Sequence, residues 1–121
     1  MSLREYAEAG VADLLDGAAD VLAERGLAKG IRLNPANGSV DLIAALAIAA
    51  GADPKNLNGS YTVFDTGVPS VREGVLLVAV DVLEAILMAD PEEWADSPGV
   101  RPHDVERVLR QAATRLRIAI A

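Results

Sequence analysis

Ile43-Ala44-Ala45-Leu46-Ala47-Ile48-Ala49-Ala50-Gly51 contains no polar side chain before its closing glycine. A run apolar on every side is a buried helix, and Gly51 supplies its stop. The alanines allow close approach by other helices, so this short element predicts a helical domain packed around it.

The neighbouring segments agree. On the N-terminal side, Ser2-Leu3-Arg4-Glu5 is a capping box, with hydroxyl and carboxylate placed to exchange backbone bonds. Val11, Leu14, Leu15, Ala18 and Leu22 follow at helical spacing, and Gly26 ends that helix in the left-handed region with Leu27 as apolar follower. Gly10 and Gly17 each weaken the helix interior by about 1 kcal/mol, and both are candidates for close helix contact. Between the two helices, Ile31-Arg32-Leu33 alternates, Asn34-Pro35-Ala36-Asn37-Gly38 is turn chemistry, and Val40-Asp41-Leu42 returns. A short β-hairpin near 31–42 is therefore expected.

On the C-terminal side, residues 53–69 are punctuated by Pro54, Gly59 and Pro69 and read as irregular, with a short extended piece at Tyr61–Phe64. Ser70-Val71-Arg72-Glu73 is a second capping box, and a helix is expected from there to Ala89 despite its β-branched start. Asp90-Pro91-Glu92-Glu93 reads as an N-cap, a proline at the first helical position and two first-turn acids, giving a short helix that carries Trp94. A last helix is expected over 102–120, striped by Val105, Val108, Leu109, Ala112 and Leu116. The expected fold class is mainly α: four main helices in a compact bundle, a short β-hairpin and irregular loops, in a single helical domain over residues 1–121. The helices at 42–50 and 71–89 should be central, with the amphipathic ones at 3–25 and 102–120 flanking them.

Composition narrows the function classes. Hydrophobic residues make up 51% of the 121, with only four aromatics, so the core is aliphatic. Absence of Cys excludes disulfides and thiolate metal sites. The start, Ser2-Leu3-Arg4-Glu5-Tyr6, lacks the charged and apolar regions of a secretory signal, and the longest uncharged apolar run falls short of the ~20 residues needed to span a bilayer. A cytoplasmic protein with no membrane partner is expected. Net charge is −7, which makes nucleic acid an unlikely partner. Residues 101–121 run the other way, with five Arg against Asp104 and Glu106.

Few residues invite chemistry. Asp13, Asp16, Asp20 and Glu24 share one face of the first helix, and Arg107, Arg110 and Arg117 share one face of the last. Each row reads either as a solvated face or as a recognition surface. His103 is the only histidine, so a zinc site would need carboxylates alone beside it. Gly26–Gly30 has neither the Walker nor the dinucleotide spacing. No catalytic, cofactor or metal residues are assigned, and no cofactor is expected. Trp94 is either a core anchor or a binding hot spot.

The run Ala18-Ala19-Asp20-Val21-Leu22-Ala23-Glu24-Arg25-Gly26, then Gly30, a Gly-bearing turn and Leu42 to Gly51, resembles a family of small actinobacterial and actinobacteriophage proteins known only as a domain of unknown function. Trp94-Ala95-Asp96 and Pro98-Gly99 before a final helix extend the resemblance over roughly residues 14–120. Leu27 stands where that family usually has Trp, Ala95 where it has Asn, and the Cys that usually opens the second helix is missing. The resemblance implies fold and origin and carries no activity.

The functional expectation is a non-catalytic protein-interaction or regulatory module. Its candidate partner-binding residues are Trp94, Tyr61 and Phe64 on loops and Arg107, Arg110 and Arg117 on the last helix. The partner is an unidentified protein, and complementary acidic and basic faces would also permit a homodimer. Two alternatives stay open: a small DNA-binding regulator using the basic C-terminal helix, and a small hydrolase using His103 with Asp96 or Asp104.

Overall fold

The uncharged run forms α2, Leu42–Ala49, with Leu42 through Ala47 buried. The structure, a computed structural model, describes residues 3–53 and 70–120, with side chains at 10–53 and 74–119. The other elements are α1 (Leu3–Arg25), α3 (Ser70–Leu87), α4 (Pro91–Asp96) and α5 (Pro102–Ile120). The side chains of both capping boxes, and Tyr61 and Phe64, lie outside the described residues.

The hub is α1. It packs against α5, α2 and α3. Its buried residues Val11, Ala12, Leu14, Leu15, Ala18, Ala19 and Leu22 cover about 160° of its circumference at 100° per residue. Gly17 lets α2 come close: a Cβ there would stand 3.3 Å from the Ala49 Cβ. Gly10, by contrast, faces open space. Gly26 ends α1 at φ +86 with its N–H on the Leu22 carbonyl, and Leu27 packs on the core, as the C-cap reading requires.

Two expectations about arrangement are corrected. The helix expected over 71–89 is not central. Among the described side chains of α3, only Leu76, Ala79 and Leu83 are fully buried, on one narrow side, while Leu77 and Val78 face outward. It also stops at Leu87, because Met88 turns into the left-handed region at φ +53. Three residues on, Pro91 disfavours helical backbone at Asp90, and α4 begins there.

The second correction concerns the β-hairpin near 31–42, which does not form as strands. Its turn is present: Gly38 sits at φ +76 and donates to the Asn34 carbonyl at 2.8 Å. Beyond it there is one antiparallel bridge, Leu33 to Val40, and one parallel bridge, Leu27 to Val40. Val40 is held from both sides: on one its N–H donates to the Gly26 carbonyl and its carbonyl accepts from Ala28, and on the other Asn34 N–H donates to the Ser39 carbonyl and Asp41 N–H to the Arg32 carbonyl. The next residue, Asp41, is already the N-cap of α2. No length is left for a ladder, and residues 26–41 form a clasp.

Candidate functional site

Polar side chains fasten that clasp. Arg32 is 8% exposed and donates to the Asp41 carboxylate and to Glu92 at the start of α4. Asp41, 2% exposed, also accepts the Ala44 N–H at 2.8 Å. Burial pushes the Asp41 carboxyl above its usual pKa, offset in part by the Ala44 N–H and by Arg32. Burial opposes the Arg32 charge, but its bonds to Glu92 and Asp41 outweigh that and raise its pKa. Further along the clasp, the Lys29 ammonium donates to the carbonyls of Ser97 and, at 2.6 Å, Val100. Gly30 N–H donates to Asp96 Oδ1 at 3.1 Å. Sequence reading gave Lys29, Arg32 and Asp41 no such role. The signal was present at Asp41, an N-cap residue type directly before the apolar run.

These staples fix the segment that carries Trp94. Asp90 caps α4 by accepting from the N–H groups of Glu92 at 2.9 Å and Glu93 at 3.0 Å, with Pro91 at the first position, as its sequence predicts. Trp94 is half-buried and packed on the core. Together with Val100, Asp104, Arg107, Val108 and Gln111 it lines an open groove of about 380 Å³ between α4 and α5. Asp104 accepts Arg101 N–H at 2.9 Å, closing the start of α5, and Arg107 at 2.5 Å. The Arg101 N–H, then His103 and Arg107, hold its carboxyl below the ordinary range. Trp94 and Arg107, two of the candidate binding residues, are thus brought together.

Arg110 and Arg117 are not part of that groove. Arg110 reaches across to α1, bonding Asp16 at 3.2 Å and also Asp20. Arg117 bonds Asp13 at 2.8 Å and also Asp16. Partial burial pushes Asp16 upward, but the hydrogen bonds from Arg117 and Arg110 outweigh it and leave its carboxyl below the usual range. Asp13, Asp16 and Asp20 of α1 and Arg110 and Arg117 of α5, read in the sequence as parts of two outward faces, therefore meet each other along a helix seam within one chain.

Of the residues named for hydrolysis, His103 meets Asp104 on the surface and Asp96 is engaged elsewhere. His103 is 67% exposed, with Nε2 3.4 Å from Asp104 Oδ1. Asp96 accepts the Gly30 N–H of the clasp. Among the described residues, no group of three or more His, Asp or Glu is placed to hold a metal ion, and no helix is long and apolar enough to cross a membrane.

What results is a mainly helical structure whose described ionisable groups mostly tie its own parts together, with a groove lined by Trp94 left on one flank. The chain belongs to a family of unknown function, DUF6197, whose model matches residues 7–115. No curated protein and no solved structure matches it.

Proposed function

We propose that this chain is a non-catalytic protein-interaction module of the cytoplasm of an actinobacterium, or one encoded by its phage, and that it binds its partner through the Trp94 groove. The observation that carries the reading is the groove itself. The backbone on either side of a large aromatic is fastened by the Asp90 cap and the Lys29 staple, and the side chain keeps part of its surface outside. Anchors of this kind lose little conformational freedom on binding, and Trp and Arg are enriched among binding hot spots. The origin rests on the sequence resemblance and on a composition rich in Ala, Arg and Gly. The non-catalytic part is supported by described ionisable groups that mostly join one element of the fold to another.

The same ion pairs weigh against the two companion readings. A DNA-binding α5 would use Arg110 and Arg117 on phosphates, but both are engaged with α1 carboxylates, on a molecule of charge −7. A homodimer through complementary faces would have to break the same seam. The test is affinity capture from host lysate with wild type and a folded Trp94→Ala, Arg107→Glu variant, read by mass spectrometry. The expected result is a partner retained by wild type and lost by the variant. Identical captured sets, or a shift of labelled DNA at low salt that Arg107→Glu abolishes, would overturn the reading.

A further inference from the structure

The outer side of α3 is a second surface, separate from the Trp94 groove. At about 100° per residue, Leu77, Val78, Asp81, Glu84 and Ala85 fall within about 120° of arc; Met88 follows just past the helix end, and all six are exposed. Leu76, Ala79 and Leu83, fully buried, occupy the opposite side. Leu77 is 37% exposed, Val78 44% and Met88 90%. Four of the six residues are apolar, so this is an apolar stripe on a helix that already packs its other side into the core.

The stripe is acidic as well. Towards the end of the helix it opens into a depression of about 440 Å³ lined by Asp81, Glu84, Ala85, Met88, Ala89 and Asp90, with no cation among them. Among the described residues, Asp81 and Glu84 have no side-chain hydrogen-bond or ion-pair partner, unlike Asp13, Asp16 and Asp20 of α1, which are all paired. The last turn of α3 carries no basic residue, so the negative end of the helix dipole adds to the same field. Met88 is a flexible, polarisable side chain suited to adaptable binding surfaces, and nearly all of it lies outside the fold.

We propose that the outer face of α3 docks a basic amphipathic helix of a partner protein. An apolar stripe over residues 77–88, about 18 Å long, matches the apolar side of a second helix laid against it. Lys or Arg flanking that side would meet Asp81, Glu84 and the end of α3. A second copy of this chain is the poorer fit. It brings a further −7, and two cations of its basic helix, Arg110 and Arg117, are engaged at home.

The probe is a labelled, designed Leu/Lys amphipathic peptide of about 18 residues, with a Leu/Glu isostere as its control. Binding to the full chain is read by fluorescence anisotropy. The Leu/Lys helix should bind and the isostere should not. Asp81→Lys with Glu84→Lys should weaken binding about tenfold or more, whereas the equal charge change Glu24→Lys with Glu93→Lys should weaken it less than about threefold. Val78→Ser with Met88→Ser should also weaken it about tenfold, at unchanged helicity and melting temperature, because both residues are exposed. Equal losses for the two charge-reversal pairs would mean diffuse attraction to an acidic protein and would overturn the proposal. So would absence of peptide binding, or a wild-type dimer in sedimentation equilibrium that Asp81→Lys, Glu84→Lys splits, which would give the face to a second copy. Trp94→Ala should leave peptide binding intact, so the failure of either surface can be told from that of the other.

Discussion

Asp41→Ala removes two things at once. Asp41 is the N-cap of α2, and loss of a capping side chain costs about 1 kcal/mol. It is also the buried partner of Arg32, whose side chain is only 8% exposed. Glu92 would remain on that guanidinium but is itself 40% exposed, so the pair is replaced only in part. Breaking a buried ion pair from one side costs ~3–5 kcal/mol when nothing takes over. With Glu92 retained, a value of about 2–3 kcal/mol is the better figure. The total is about 3–4 kcal/mol, or roughly 10–15 °C in melting temperature for a domain of this size. Urea denaturation followed by far-UV circular dichroism measures it. Asp41→Asn keeps a capping acceptor and loses only the charge, so it should recover about 1 kcal/mol of the loss. If both variants cost less than about 1 kcal/mol, the clasp is not held by this cluster and the reasoning fails.

Acid should loosen the α1–α5 seam. The Asp16 carboxyl lies below its ordinary value in the folded chain, so its contribution is complete above the unfolded pKa near 4 and is lost as pH falls through the lower folded value. Asp16→Asn should flatten the acid limb of the stability curve while costing only about 1 kcal/mol at neutral pH, since its Arg partners are nearly half exposed. Gly10→Ala meets nothing within 4 Å and should stabilise by up to about 1 kcal/mol, whereas Gly17→Val, facing Ala49, should destabilise by about 1–3 kcal/mol; thermal melts separate the two. Met88→Gly relieves a left-handed backbone at φ +53 and should raise stability by about 0.5–1 kcal/mol; a fall would mean that the exposed side chain supports the fold.

Elements set by local chemistry were legible in the sequence. The uniformly apolar run could only be a buried helix, Gly26 stopped α1, and Asp90-Pro91-Glu92-Glu93 announced α4 residue by residue. Features that depend on a neighbour were not. The turn at Asn34–Gly38 was read correctly, but Val40 is shared between Leu27 and Leu33, and that second claim on it has no local signature. The apolar residues of α3 pointed to a central helix, yet a wide arc of small and medium side chains makes α1 the hub. For the candidate site, Trp94 and Arg107 were legible as types, and their adjacency follows from the α4–α5 turn. The engagement of Arg110 and Arg117 with Asp13, Asp16 and Asp20 was hidden, because two rows that each look solvated in isolation become partners only when α5 lies along α1.

The claim that the Trp94 groove receives a protein is tested most directly by site-specific photo-crosslinking in the host. A benzophenone amino acid placed at Gln111, an exposed lining residue of the groove, samples it in the intact chain. The same label at Glu24, on exposed α1 surface, serves as the control. The account predicts one discrete heteromeric adduct from position 111 that position 24 does not give and that Trp94→Ala removes. No adduct at 111, or the same adducts from both positions, would contradict it.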